Sequence, residues 1–284
     1  MKTRILSTMG LVLLIAGVVY LFGVDGALWL LLGITLATQY ELYRLFERME
    51  LKTDKILGII CGGLIILGSY YMVDLDKPRT LDAGNDVFAF CFIGLTLTVV
   101  GKNFFAGRIR SFLPTLFGLV LVPYMMHFLV RLVRTVEFVG LSEAVAMVMV
   151  AWLVAVAKLT DVGGLLVGIS LGHIKLAPNL SPKKTIEGAV GGVALAVGAS
   201  VLMAYYMPPH LLPPNFTPLM AALLSAPIAL VAMFSDLLES AIKRTANVKD
   251  SGRFVPGIGG AFDLTDSLIL SAPFGYLLIK YALL

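Results

Sequence analysis

Long apolar runs alternate with short charged or Gly/Pro-rich connections along the whole chain. Nine runs stand out, over about residues 5–24, 26–43, 56–73, 87–101, 112–130, 142–160, 187–207, 217–235 and 266–284. A helix crossing the hydrocarbon core needs about 20 apolar residues. The fourth run is short for that and reads as tilted or partly interfacial. Apolar residues are continuous within each run, which argues against the two-residue alternation of a membrane barrel. The expected fold class is therefore all-α: a polytopic integral membrane protein of about nine transmembrane helices. Residues 1–284 read as a single membrane domain, with N-terminal helices in 1–157 and motif-bearing helices and loops in 158–284. Asp25-Gly26 reads as a tight turn between the first two runs. Pro208-Pro209 and Pro213-Pro214 bracket a short uncharged turn. Run 5–24 is too long for a signal-peptide core and lacks a cleavage site, so it reads as a retained span.

Composition agrees. Apolar residues make up 58% of the chain and charged residues 14%, against about 25% charged in an ordinary soluble domain. The mean hydropathy is +0.92. Such a chain cannot cover a soluble core with polar surface, which excludes a soluble domain, a disordered chain and a secreted disulfide scaffold. The net charge of +4 fits loops facing anionic lipid and carries no implication of nucleic acid. Cys61 and Cys91 both lie inside apolar runs and read as packing residues. With nine spans and a cytoplasmic N-terminus, 17 of the 22 Lys and Arg fall on the cytoplasmic side; Lys77, Arg79, Arg131, Arg134 and Lys280 fall opposite. The N-terminus and both motif loops are then cytoplasmic, in an inner membrane of bacterial type.

Two cytoplasmic connections, about 158–187 and 236–266, are longer, more charged and richer in Gly than the others. Seven of the 18 acidic residues follow residue 160: Asp161, Glu187, Asp236, Glu239, Asp250, Asp263 and Asp266. A carboxylate next to hydrocarbon calls for a polar cavity, a cation or a partner. With a last helix starting near Phe262, Asp263 and Asp266 would share one face. A cap needs one Asp; a divalent cation between the two would turn repulsion into ligation. Asp236, Ser240 and Lys243 form a polar stripe at helical spacing, followed by Arg244, Lys249 and Asp250. Pro256-Gly257-Ile258-Gly259-Gly260 is a bend able to offer backbone N–H groups to phosphate. Ser181-Pro182-Lys183-Lys184-Thr185 places ammonium and hydroxyl groups just before a helix start, where anions are favoured; a basic flank with Thr185 as helix cap fits equally well. The three histidines lack metal-ligand spacing, and neither a P-loop nor a strand-linked G-x-G-x-x-G occurs.

Taken together, Ser240-x2-Lys243-Arg244-x4-Lys249-Asp250-x5-Pro256-Gly257-x-Gly259-Gly260-x2-Asp263-x2-Asp266 resembles the signature of phosphatidate cytidylyltransferases (CDP-diacylglycerol synthases). Asp161 and the run from Lys175 to Gly188 are also similar to that family. Two positions depart from the family pattern: Ile258 stands where His is usual in the bend, and Leu264 where Arg usually follows the first Asp. The resemblance implies attack of the phosphatidate phosphate on the α-phosphorus of CTP, giving CDP-diacylglycerol and pyrophosphate. It implies Mg²⁺ as cofactor, with K⁺ a candidate second cation, and CTP, phosphatidate and the bilayer as partners. A homodimer is left open. Asp236, Asp263, Asp266 and Asp161 are the expected metal ligands. Asp236, Lys243, Arg244, Lys184 and Asp250 are the expected catalytic set. Ser181, Lys183, Thr185, Ser240, Lys249, Gly259 and Gly260 are the expected substrate contacts. A CTP-dependent kinase of a polyprenol or similar lipid alcohol would share most of these parts. A lipid transporter would also carry intramembrane charge, but the charges here gather on one side and no inverted repeat is visible.

Overall fold

Apolar α-helices dominate the computed structural model, which describes residues 2–100, 108–252, 254, 257 and 259–284. Ten helices are present among them: α1 (Lys2–Arg48), α2 (Lys55–Tyr71), α3 (Ala83–Val100), α4 (Arg108–Leu119), α5 (Met125–Phe138), α6 (Glu143–Leu171), α7 (Ile186–Tyr206), α8 (Pro218–Thr245), α9 (Ala261–Thr265) and α10 (Leu268–Ala282). A π-helical turn at Val120–Tyr124 joins α4 to α5, and Pro123 within it lacks the N–H an α-helix would require. Strands β1 (Lys175–Ala177) and β2 (Ser181–Thr185) form an antiparallel hairpin, pairing Lys175 with Thr185 and Ala177 with Ser181.

The all-α membrane class holds, while the expected count of nine spans is not reproduced by length and composition alone. Seven stretches among the described residues are long and apolar enough to cross a membrane: Met9–Arg48, Thr80–Thr98, Arg110–Phe138, Glu143–Leu171, Ile186–Tyr206, Pro218–Thr245 and Ala261–Ala282. Helix α2 is a shorter apolar helix. The first two expected runs both lie within α1, which is kinked into two helices. The expected turn at Asp25-Gly26 is absent; the interruption is instead at Gly23, whose φ of 58° and ψ of −140° are open essentially to glycine.

Two further boundaries shift. Helix α6 passes the expected end near 160 and runs to Leu171, so Asp161 is helical and most of the expected 158–187 loop is helix plus hairpin. Helix α8 continues to Thr245 and carries Asp236, Ser240 and Lys243 at the anticipated helical spacing.

The chain divides into two compact units, residues 1–130 with 242–265, and residues 131–241 with 266–284. In the first, α1 packs on α2, α4 and α9. Tyr43 is fully buried; its hydroxyl donates to the Thr115 carbonyl at 2.9 Å and accepts from Gln39 at 2.9 Å. Cys61, Ile65, Cys91, Leu95 and Leu119 form a buried cluster in which both thiols are free. In the second unit, α6 and α7 make the most extensive helix pair. Trp152 on α6 is buried against Phe216 and donates to Ser200 on α7 at 3.0 Å.

Small residues let α6 and α7 approach backbone to backbone, the usual way helices associate where lipid removes the hydrophobic drive. A Cβ on Gly163 would meet the Gly191 carbonyl oxygen and the Gly192 Cα, each at 2.9 Å. On Gly164 the nearest contact would be the Gly188 oxygen at 3.6 Å. Gly163→Ala should therefore lower stability by about 1–3 kcal/mol through forced separation of the helices. Gly164→Ala should leave it unchanged or slightly raised, since Ala is the better helix former. Melting temperatures of the two variants in detergent check this contrast.

Candidate active site

Helix α8 builds the centre of the second unit's polar cluster. Its buried face runs through Ala221, Ser225, Ile228, Ala232 and Ser235, and Glu239 continues the same stripe. Glu239 is only 1% exposed. Asp236, three residues earlier, therefore lies on nearly the same face. Asp266 comes from the two-residue turn between α9 and α10. One carboxylate oxygen from each of Asp236, Glu239 and Asp266 lies within 4.8 Å of the others.

Two lysines border this group. Lys158 on α6 donates to Asp266 Oδ1 at 3.0 Å and to Ser267 Oγ at 2.8 Å. Its ammonium is also 3.8 Å from Asp161, one helical turn along α6. Lys184 on β2 forms an ion pair with Asp236. Asp266 is fixed from several directions: the Ser267 N–H donates to its Oδ1 at 2.6 Å, and the Ser235 hydroxyl donates to its carbonyl. Like charges this close repel, so the three carboxylates suit a bound cation. An all-oxygen donor set is the kind that Mg²⁺ and similar hard divalent ions take.

Asp263 and Asp266 do not lie on one continuous helix as expected. The helix breaks between them, with α9 ending at Thr265 and α10 starting at Leu268. Asp263 belongs to a separate network in the first unit. Lys243 donates to its Oδ1 at 2.6 Å. Its Oδ2 accepts from the Gly260 N–H at 2.7 Å, the Ser251 hydroxyl at 2.9 Å and the Ser251 N–H at 3.2 Å. Gly259 has a φ of 137°, and a Cβ there would stand 2.6 Å from Asp263 Oδ2, so both its dihedral and its clearance call for glycine.

Most other expected residues are placed more simply. The Thr185 hydroxyl accepts from the Gly188 N–H at 3.1 Å and caps α7. Ser181 and Ser240 are half-buried, on β2 and α8. Lys183, Arg244, Lys249 and Asp250 are exposed, with Arg244 donating to the Val248 carbonyl at 3.3 Å. The Glu187 carboxylate accepts from the Ile174 N–H at 3.1 Å and steadies the hairpin. Pro256 and Ile258 of the bend lie outside the described residues. Glu239 and Lys158 were not among the expected site residues. Glu239 could have been found from the α8 apolar spacing, which it continues; Lys158 from its position three residues before Asp161 in an apolar run.

Three carboxylates that could hold a cation, with lysines beside them, in a chain of membrane-length helices, fit an enzyme that works on phosphate esters at a membrane. The relatives are of that class. The model of the cytidylyltransferase family matches residues 2–282, and the chain belongs to that family. It is 31% identical to a phosphatidate cytidylyltransferase of Bacillus subtilis, over 98% of this chain and 97% of the relative. It is similarly 31% identical to a phosphatidate cytidylyltransferase of Staphylococcus aureus, over 96% of each chain. A phosphatidate cytidylyltransferase of Synechocystis is 41% identical over 41% of this chain and 38% of the relative.

A cation that binds only the folded protein raises its melting temperature. Mg²⁺ or Mn²⁺ should stabilise the purified protein, by about 2.7 kcal/mol at 100 times the dissociation constant. The increment should shrink sharply in both Glu239→Gln and Asp266→Asn. Thermal melting with and without the ion reads this without any assay of turnover.

Proposed function

We propose that this chain transfers CMP from CTP to phosphatidate, forming CDP-diacylglycerol and releasing pyrophosphate. The observation that carries the reading is the convergence of Asp236, Glu239 and Asp266 beside Lys184 and Lys158 in a member of the cytidylyltransferase family. An oxygen of the lipid phosphate forms the new bond to the α-phosphorus, and the bond from that phosphorus to the pyrophosphate oxygen breaks. The attacking phosphate is already ionised near neutral pH, so no protein base is required.

Asp236, Glu239 and Asp266 would hold the metal ion. When bound, that ion supplies neutralisation of the triphosphate and of charge developing on the leaving group. Lys184 has its ammonium beside Asp236 and is suited to neutralise a phosphate oxygen. Lys158 keeps Asp266 oriented from the α6 side. Lys243 and Arg244 are assigned to phosphate by the motif they belong to, with Lys183 and Lys249 as further basic groups. Asp263 is assigned to holding Lys243, whose ammonium donates to its Oδ1 at 2.6 Å. The excess of Lys and Arg around the motif segments supports a cytoplasmic placement, where CTP is available.

Purified protein given phosphatidate, CTP labelled at the α-phosphate and Mg²⁺ should produce labelled lipid together with pyrophosphate, and EDTA should abolish both. Asp236→Asn should lower turnover by about 10²-fold or more while keeping a wild-type melting profile without metal. Unlabelled phospholipid product with release of labelled CDP would show γ-phosphoryl transfer and defeat the proposal.

A further inference from the structure

We propose that Glu41, on the N-terminal helix α1, is a positioning residue that joins Ser251 to Phe262 and, through Ser251, fixes Asp263 and Lys243. Glu41 is 7% exposed although it carries a formal charge at the end of an apolar helix. Such a group persists only where donors meet it. Two donors from the distant bend segment do so on one oxygen: the Ser251 hydroxyl lies 2.8 Å and the Phe262 N–H 3.0 Å from Glu41 Oε2. The same Ser251 hydroxyl lies 2.9 Å from Asp263 Oδ2. It has one proton and stands between two carboxylates, so it couples them.

The chain of contacts then runs from Glu41 to Ser251, to Asp263, and on to the Lys243 ammonium at 2.6 Å. Thr38, one turn before Glu41 and on the same face of α1, bonds Thr265 at 3.1 Å and ties down the far end of α9. Gly252 and Gly260 leave room for this carboxylate. A Cβ on Gly252 would stand 2.8 Å, and one on Gly260 2.7 Å, from Glu41 Cδ. These two glycines are thus explained by clearance for a side chain from α1, as Gly259 is by clearance for Asp263.

The kinetic part of this inference rests on the reaction proposed above. The test compares the full-length protein in lipid nanodiscs with Glu41→Gln, Glu41→Ala, Ser251→Ala and the Glu41→Ala/Ser251→Ala double variant. Each is titrated with CTP and with phosphatidate, rates are expressed per folded molecule, and each is melted thermally. Glu41→Gln keeps an acceptor for the Phe262 N–H and should stay within about tenfold of wild type. Glu41→Ala should lose about 10- to 100-fold in kcat and raise the KM for CTP while the KM for phosphatidate holds. The double variant should be no worse than the poorer single variant, because both act through one hydroxyl. The inference is overturned if Glu41→Ala retains wild-type kcat per folded molecule, if both KM values move together, or if the single losses multiply. A wild-type protein inactive on phosphatidate would sink the proposed reaction and leave the Glu41 contacts to be judged by the melting temperatures. There, losses for Glu41→Ala and Ser251→Ala that simply add would refute it.

Discussion

An ionised carboxylate on an apolar helix is stable only when hydrogen-bond donors or cations replace the water it has lost. The local structure of this protein follows from how that requirement is met. Asp263 is met by Lys243 and by three donors from Ser251 and Gly260. Asp266 is met by Lys158 and the Ser267 N–H, and Asp236 by Lys184. Each solution needs an irregular piece of backbone: the glycine bend before α9, the turn between α9 and α10, the hairpin ahead of α7. The apolar helices supply the frame, and the irregular segments between them supply the donors.

The carboxylates consequently divide into two kinds. Asp263 and Glu41 accept hydrogen bonds from Lys243, Ser251, Gly260 and Phe262. Asp236, Glu239 and Asp266 converge with one carboxylate oxygen each within 4.8 Å of the others, a donor set that a hard cation could join. The two kinds are interleaved in the sequence, with Asp263 and Asp266 only three residues apart.

The fold class could be read directly, because continuous apolar runs with few charges admit only one architecture in a membrane. Boundaries could not, where a residue tolerated two states. Glycines 163, 164 and 168 read as loop, but α7 packs against them and α6 continues to Leu171. Asp25-Gly26 read as a turn, yet the chain breaks at Gly23 and helix resumes immediately. The acidic residues of the site were visible as charges misplaced in apolar surroundings. Their grouping was not, because i,i+3 spacing implies a shared face only if the helix is unbroken. That condition holds for Asp236 and Glu239 on α8 and fails for Asp263 and Asp266. Glu41 was hidden for a different reason: its partners lie more than 200 positions further along the chain, a separation no local pattern reveals.

The close backbone contact of α6 with α7 also sets where the chain length can vary. One residue inserted in α6 between Lys158 and Gly163 would rotate everything beyond it by about 100°. That would turn either the glycine face away from α7 or the Lys158 ammonium away from Asp266. The turn joining β1 to β2 carries no such phase, since residues 178–180 lie outside both strands. Length differences among homologous chains should thus collect at the hairpin tip, while the interval from Lys158 to the α6 glycines keeps a constant count.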